Sequence, residues 1–240
     1  IRTGPPVAEA LSAPPRGRTV CPGQSPIGQN PRRVRAAMQG LWNIQARHLL
    51  RQALAGLSPQ DTVVHFHLWN KALSPSVLAE TARLGAPVFI TAHEYYTVCP
   101  NGGLLYYPTG TICTVRPLSA RCVLARCDRR SYPQKLWRVV RQALQSRALA
   151  RIGRLSLLAA SRLCLEVLAR HLPDKTIRYL PNFVRTLPGA DAAIPFEKNK
   201  CYLVIGRLEP EKGIELFCGA LAELGLPGIA VGGAPAEELA

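Results

Sequence analysis

Residues 201–213 read Cys-Tyr-Leu-Val-Ile-Gly-Arg-Leu-Glu-Pro-Glu-Lys-Gly, and this stretch decides the fold. Its apolar start, 201–205, predicts a short strand that is buried on both faces. Gly206 ends the strand and permits a sharp turn of the backbone. Pro210, with an acidic residue on each side, then predicts the start of a helix over 211–224. The stretch therefore predicts one strand–turn–helix step of an α/β protein.

The same alternation of strands and helices continues through most of the chain. Apolar runs of strand length occur at 62–66, 87–92, 155–159, 176–180, 201–205 and 228–231. Helical patterns occur at 33–57, 74–85, 133–152, 161–171 and 211–224. This order predicts a parallel sheet flanked by helices, with any ligand at the carboxyl ends of the strands. A long loop, 93–132, and an irregular segment, 1–32, complete the prediction.

Length and composition are those of a globular protein. The chain has 240 residues and is 48% hydrophobic, enough for one large core or two smaller ones. It contains no run of about 18 apolar residues, so the sequence predicts no membrane span. Eight cysteines are too few for a disulfide scaffold, and no secretory signal is visible. We therefore expect a cytoplasmic protein.

Positive charge is concentrated in the first part of the chain. The formal net charge is +15, but residues 191–240 hold 4 basic against 8 acidic side chains. This asymmetry predicts two domains, 33–188 and 189–240. Only 6 of the 30 basic residues are lysine. The charge thus reflects either a preference for arginine codons or a surface that attracts anionic lipids or phosphate-bearing substrates.

Two cations stand beside the predicted start of the helix over 211–224. Arg207 follows the strand, and Lys212 lies with Gly213 in the predicted first helical turn. Free N–H groups and the positive end of the helix dipole favour a phosphate at such a position, and a guanidinium can bind it bidentately. The sequence therefore predicts a diphosphate site. The alternative is that both cations pair with the neighbouring glutamates on an exposed helix start.

The motif Gly-Arg-Leu-x-Pro-Glu-Lys-Gly resembles the opening of the C-terminal nucleotide-binding domain of family 4 glycosyltransferases. The N-terminal half is similar to the same family in four segments that occur in the family's order. These are Val63-Val-His-Phe-His67, Pro87-Val-Phe-Ile-Thr-Ala-His-Glu-Tyr-Tyr-Thr-Val-Cys-Pro-Asn-Gly102, Ala159-Ala-Ser161 and Leu180-Pro-Asn-Phe-Val184. The resemblance covers about residues 60–235. It departs at Glu94, where the family more often has Asp, and at Phe183, where Gly is common.

The resemblance implies an α/β protein of the GT-B type, with two Rossmann-like domains of which the C-terminal one is incomplete here. It also implies a nucleotide-diphosphate sugar as donor, a saccharide or lipid-linked acceptor, retention of anomeric configuration, and no cofactor or required metal. The absence of an Asp-x-Asp motif fits a metal-independent reaction. The residues assigned to the donor are Gly206, Arg207, Lys212, Gly213 and Asn182, with His93 as the catalytic group near the transferred sugar.

Three histidines fall in or after predicted strands. His93 ends the apolar run 87–92 and precedes the long loop, so it lies at a carboxyl edge of the predicted sheet. A lone histidine is more often structural, but the motif around His93 favours a function as hydrogen-bond donor. His65 and His67 alternate along another strand, and we expect them to face opposite sides. Core packing or capping explains them at least as well as acceptor binding.

Two further patterns have open interpretations. The cysteines of the long loop, Cys99, Cys113, Cys122 and Cys127, could bind structural zinc or form a cross-link, but separate thiols are the leading reading. A helix over 135–154 could carry an apolar stripe with Leu136 and Val140 and a basic face with Lys135 and Arg141. It would then rest on the inner face of an anionic membrane, or simply pack on the sheet with a solvated basic face.

Two other functions remain open, and the ends of the chain raise a further expectation. The positive charge is typical of a nucleic-acid-binding protein. The arginines, however, are scattered through the α/β pattern and are not grouped on a recognition helix, so we expect no nucleic-acid partner. A dinucleotide-dependent oxidoreductase would suit the sheet, but no Gly-x-Gly-x-x-Gly follows a predicted strand. The chain begins with Ile1, and Glu237 and Glu238 do not match the family's pair of donor-binding glutamates. We expect a piece of a longer enzyme of surface-polysaccharide synthesis, with little turnover of its own.

Overall fold

The computed structural model describes residues 30–183, 201–206 and 212–233, and the single positions 23, 24, 27, 198 and 208. The chain divides into two compact units, Ile1–Asn182 and Phe183–Ala240. Two features predicted from the sequence, the Arg207 side chain and the helix start at 209–211, lie outside the described residues. Most of the segment 1–32 lies outside them too.

The first unit alternates helices and strands. Its helices are α1 Arg33–Leu41, α2 Ile44–Leu54, α3 Pro75–Thr81, α4 Ala120–Leu124, α5 Tyr132–Ala150 and α6 Arg162–His171. Its strands are β1 Val64–Phe66, β2 Val88–Ala92, β3 Leu105–Tyr106, β4 Thr111–Ile112, β5 Leu155–Ala159 and β6 Thr176–Tyr179. Single 3-10 turns cover Trp69–Lys71 and Tyr95–Thr97.

Four of these strands form one parallel sheet in the order β1-β2-β5-β6. In the middle of the sheet, Ile90 of β2 pairs with Phe66 of β1 on one side and with Leu157 of β5 on the other. The predicted α/β class with a parallel sheet is therefore confirmed, and the sheet is consistent with a Rossmann-like fold. Because all four strands run the same way, their carboxyl ends share one edge, where open α/β sheets bind ligands.

Helices pack against one face of this sheet and close its core. Val88 and Leu157 are fully buried there, and each such side chain stabilises the fold by roughly 1.5–3 kcal/mol. The predicted cap of α3 is confirmed, because the Ser74 hydroxyl accepts from the Ser76 backbone N–H and Pro75 stands at the first helical position. Ser161 caps α6 in the same way.

The single helix predicted over 33–57 is wrong, because the structure has two helices there. The chain leaves α1 at Trp42, and the Asn43 side chain caps α2 by accepting from the Ala46 N–H. The sequence did not predict this break, because the apolar residues keep their helical spacing across it. Two apolar residues of α1, Val34 and Met38, are exposed.

The long loop predicted over 93–132 contains regular structure. Strands β3 and β4 pair antiparallel, and the short helix α4 begins after Ser119, whose hydroxyl accepts from the Cys122 N–H. Elements of two to five residues are too short to leave a periodic signal in the sequence, so the prediction missed them.

Helix α5 departs from its predicted pattern at four positions in its first half. Lys135 and Arg141 are buried, whereas Leu136 and Val140 are exposed. Arg141 is satisfied by donating to the backbone oxygens of Gly40 and two further residues at 2.8–3.0 Å. Burial lowers the pKa of Arg141 to about 10. At these four positions the prediction is wrong, because a periodicity argument does not detect buried cations with specific partners.

The described part of the second unit forms a β-α-β step. Strand β7 Tyr202–Ile205 pairs in parallel with β8 Gly228–Val231, and helix α7 Ile214–Leu224 connects them. The helix begins at Ile214, three residues later than predicted from Glu211. Gly213 precedes it in the left-handed region with φ 72°, a conformation that glycine adopts readily. Lys212 thus comes before the helix and not in its first turn.

Within the described ranges, no helix is both long and apolar enough to cross a membrane. That agrees with the absence of a long apolar run in the sequence.

Candidate functional site

Two histidines meet where β1 and β2 end. His67 comes directly after β1 and His93 directly after β2, and these strands are parallel neighbours. Nδ1 of His67 lies 3.4 Å from Nε2 of His93, and the two ring centroids are 5.7 Å apart. The His93 imidazole is exposed. The pair therefore forms a polar group at the carboxyl edge of the sheet.

The expectation that His65 and His67 face opposite sides is wrong. Their ring centroids are 4.0 Å apart, because residues two positions apart along a strand point to the same face. Nε2 of His65 also lies 2.8 Å from the Thr91 hydroxyl on β2. His65, His67 and His93 thus form one histidine cluster. The two-residue period of a strand was the signal that could have found it.

The backbone turns sharply after His67. Leu68 has φ 41° and ψ 30°, in the left-handed region that residues with a side chain seldom adopt. The 3-10 turn Trp69–Lys71 follows at once. Such strained positions cost of order 1–3 kcal/mol and concentrate at functional sites. The strain at Leu68 is a second reason to regard this edge as the candidate site.

The surroundings of His67 favour its neutral form. Partial burial lowers the pKa of His67 below its ordinary value, and repulsion from His65 and then His93 lowers it further. A neutral imidazole carries one N–H donor and one acceptor nitrogen. Between His67 and His93, one ring nitrogen must donate and the other accept. The pair can therefore orient the exposed ring of His93 toward a ligand.

The segment after His93 is closed by backbone hydrogen bonds. The Tyr95 N–H donates to the Gly102 carbonyl at 3.0 Å. Gly102 has φ 77°, and a Cβ added there would lie 2.5 Å from the Tyr96 ring. Only glycine fits such a position. This explains the glycine at the end of the Cys-Pro-Asn-Gly sequence and fixes the chain that follows His93.

Two buried glutamines of α5 hold the same segment. Gln145 donates to the Tyr96 carbonyl at 2.8 Å, and Gln142 donates to the Thr97 carbonyl at 3.0 Å. These side chains satisfy backbone oxygens that the 3-10 turn leaves without partners. Asn70 also donates to the Glu94 carboxylate at 3.5 Å. The residues next to His93 are thus held from the neighbouring elements.

The cleft beside the histidines is small within the first unit. It has a volume of about 20 Å³ and is lined by residues that include Thr91, His93 and Glu94. That is room for one water molecule and not for a sugar ring. A larger groove of about 760 Å³ lies on α1 and α2, and none of the histidines lines it. A ligand of His93 would therefore contact its exposed face.

The described donor residues of the second unit lie around the start of α7. Gly206 follows β7, and a Cβ added to it would meet no atom within 4 Å. The φ angle of Gly206 is not in the left-handed region, so the backbone conformation there does not require glycine. Gly213 differs, because its φ is in that region. Lys212 is exposed. In the first unit, Asn182 is exposed three residues after β6.

No group of three or more His, Cys, Asp or Glu side chains in the described part of the chain is arranged to hold a metal ion. The histidine cluster and the cysteines of the long loop both fall within those residues. All four of these cysteines, Cys99, Cys113, Cys122 and Cys127, are free thiols.

Comparisons with protein-family models, with curated proteins and with solved structures found no match for this chain. The resemblance to family 4 glycosyltransferases therefore stays a prediction from the motifs.

Proposed function

We propose that this chain is part of a GT-B glycosyltransferase that moves a sugar from a nucleotide-diphosphate sugar to a saccharide or lipid-linked acceptor. The observation that carries the proposal is the position of His93. It directly follows a central strand of a parallel sheet, its ring is exposed, and the His67 ring lies 3.4 Å away. The motif resemblance supplies the reaction, and the geometry supports the assignment of His93 to it.

His93 acts as a hydrogen-bond donor in this proposal. When the sugar leaves its diphosphate, negative charge grows on the leaving oxygen, and a preorganised donor stabilises that charge more than the ground state. The contact with His67 restricts the orientation of the His93 ring before the donor arrives. Such pre-orientation is what makes a single donor effective.

Lys212 and Arg207 bind the diphosphate in this proposal. Lys212 is exposed and comes just before the 11-residue helix α7, whose first N–H groups are free to bind an anion. Arg207 follows β7 in the sequence. Two cations neutralise the growing charge without a metal ion, so we propose a metal-independent reaction. Asn182, Gly206 and Gly213 are the remaining donor residues.

A lipid-linked acceptor would bring the protein to the inner face of an anionic membrane. The high positive charge of the first 190 residues supports such a peripheral contact. We propose surface-polysaccharide assembly as the pathway class.

A ligand panel tests the proposal. Thermal unfolding is measured with UDP, GDP, NAD and duplex DNA in separate samples. We expect a rise in Tm with one nucleoside diphosphate, because a ligand at about 100 times its Kd adds roughly 2.7 kcal/mol to the free energy of unfolding. Stabilisation by NAD alone would indicate an oxidoreductase. Stabilisation by DNA alone, lost steeply with salt, would indicate a nucleic-acid-binding protein.

A further inference from the structure

Three buried thiols surround one buried ammonium group in the first unit. Lys135, near the start of α5, is only 1% exposed, although lysine is almost never fully buried without a partner. Cys99, Cys122 and Cys127 are 6%, 7% and 4% exposed. They come from the segment after His93, from α4, and from the stretch before α5.

The contacts around Lys135 are to sulfur. Its Nζ lies 2.9 Å from Sγ of Cys127 and 3.8 Å from Sγ of Cys122. Cys99 donates its S–H to the Asn101 side-chain oxygen at 3.0 Å, and the Asn101 amide donates to the Cys127 carbonyl at 3.2 Å. The nearest nitrogen–sulfur contact is therefore the one between Lys135 and Cys127.

The charge of Lys135 depends on these sulfur atoms. Burial opposes its charged form, but the hydrogen bond to Cys127 and the charges available on Cys122, Cys127 and Cys99 outweigh burial and raise the pKa of Lys135. The neighbouring carboxylate, Asp128, is engaged elsewhere, 3.2 Å from the Arg138 guanidinium. A buried ammonium needs a hydrogen-bond partner beside it. Sγ of Cys127, 2.9 Å away, is the nearest sulfur that serves as one.

We propose that Cys127 and Lys135 are a covalent modification site, at which a hydroperoxide drives formation of a reversible sulfur–nitrogen cross-link. The arrangement differs from an ordinary buried thiol, because an amine nitrogen lies 2.9 Å from the sulfur.

The reaction balances in two steps. The Cys127 sulfur attacks one oxygen of hydrogen peroxide, the O–O bond breaks, and a sulfenic acid and one water form as sulfur gives up two electrons. Oxidation removes the Cys127 hydrogen-bond partner of the ammonium, so burial favours release of the Lys135 proton to solvent water. The free amine attacks the sulfenic sulfur, an S–N bond forms, and a second water leaves. The product is two hydrogen atoms lighter than the reduced protein, and an added thiol reverses it.

The link would join two segments that already touch. Asn101 connects the segment after His93 to the backbone of Cys127, and Lys135 belongs to the helix whose glutamines hold that segment. Cross-linking therefore fixes the loop to α5 without large movement. We expect it to raise the Tm of the oxidised protein relative to the reduced protein.

Peptide mapping tests the proposal directly. The purified chain is treated with hydrogen peroxide, free thiols are blocked, and the protein is digested with trypsin. The expected product joins Cys127-Asp-Arg129 to Ser131-Tyr-Pro-Gln-Lys-Leu-Trp-Arg138, because trypsin cannot cleave after a modified Lys135. Dithiothreitol should release both peptides. The C122S variant should give the same product in similar yield, and C127S should give none.

Two results would overturn the proposal. One is a disulfide between Cys122-Val-Leu-Ala-Arg126 and the Cys127 peptide, with normal cleavage at Lys135. The other is an unmodified Cys127 under conditions that oxidise the exposed Cys201 and Cys218. The peptide map of the wild type distinguishes the expected cross-link from both of these results, even if a variant fails to fold.

Discussion

Nδ1 of His67 lies 3.4 Å from Nε2 of His93, at the edge of the sheet where β1 and β2 end side by side. One of these nitrogens has to donate to the other, so the two rings restrict each other's tautomer and orientation. If both rings were charged, they would repel. The pair therefore favours the neutral form of His67.

The first prediction concerns His93 itself. Replacing His93 by Ala removes a donor to the leaving phosphate, so we expect release of nucleoside diphosphate from the sugar donor to slow by about 10²–10³-fold. The measurement is the initial rate at saturating donor, for wild type and variant. Binding of the free nucleoside diphosphate should change little.

His48 provides the matched control for this experiment. It is an exposed histidine on α2, outside the cluster. His48→Ala should leave the rate unchanged. An equal loss of rate in the two variants, or no loss in His93→Ala, would contradict the assignment.

The second prediction concerns pH. The pKa of His67 is below its ordinary value because of burial, His65 and His93, so the folded state binds fewer protons than the unfolded state. His67 therefore contributes nothing to the free energy of unfolding at high pH. As pH falls from about 6.5 through the folded pKa, His67 lowers that free energy. His67→Asn removes this penalty. Its Tm should fall less than that of the wild type between about pH 8 and pH 5.

His171 must be separated from this effect. Burial and then Arg170 lower the pKa of His171 too, and it keeps this contribution in both proteins. The comparison of His67→Asn with wild type therefore isolates His67. Identical curves of Tm against pH would show that His67 is not held neutral.

The third prediction concerns the ion pairs of Glu80. This carboxylate on α3 is 5% exposed and accepts from Arg47 and Arg51 of α2 at 2.7 Å each. Glu80→Gln should lower the free energy of unfolding by about 1–2 kcal/mol, since both guanidinium groups are partly solvated. Chemical denaturation measures this. Glu166→Gln, at an exposed position of α6, should cause no loss, and an equal loss in both variants would contradict the structure.

Glu80 also predicts acid sensitivity. The hydrogen bond from Arg51, the largest cause, lowers the pKa of Glu80 from 4.5 to about 2, against the effect of burial. The stability that Glu80 contributes is present above pH 4.5 and is lost as pH falls through about 2. The Gln variant should lack this part of the acid transition. If Glu80→Gln and the wild type showed the same midpoint and slope of acid unfolding, Glu80 would not contribute to acid sensitivity.

The fold followed from local patterns where the elements are long and apolar on both faces. Strand β2 was predicted within one residue, because the run that ends in Thr91 and Ala92 is unbroken. The break at Asn43 was missed, because the apolar period continues across it while the polar side chain caps the next helix. Lys135 and Arg141 were assigned to the basic face, because their burial depends on specific partners outside the helix.

The candidate site was predictable only in part. The end of a buried strand located His93, but its contact with His67 depends on which strands are neighbours. The shared face of His65 and His67 follows from the strand period alone and could have been predicted. Lys212 was expected inside a helix that in fact begins after Gly213, since the left-handed glycine delays the first turn.

Binding of a nucleoside diphosphate by Lys212 variants tests the central claim most directly. Isothermal titration with the diphosphate that stabilises the wild type should give binding about 10- to 100-fold weaker in Lys212→Ala, the loss of one charge-assisted contact of about 1.5–3 kcal/mol. The matched variant Lys198→Ala removes another exposed lysine and should bind as the wild type does. Equal affinity in all three proteins, or no binding of UDP or GDP by the wild type, would contradict a diphosphate site in this chain.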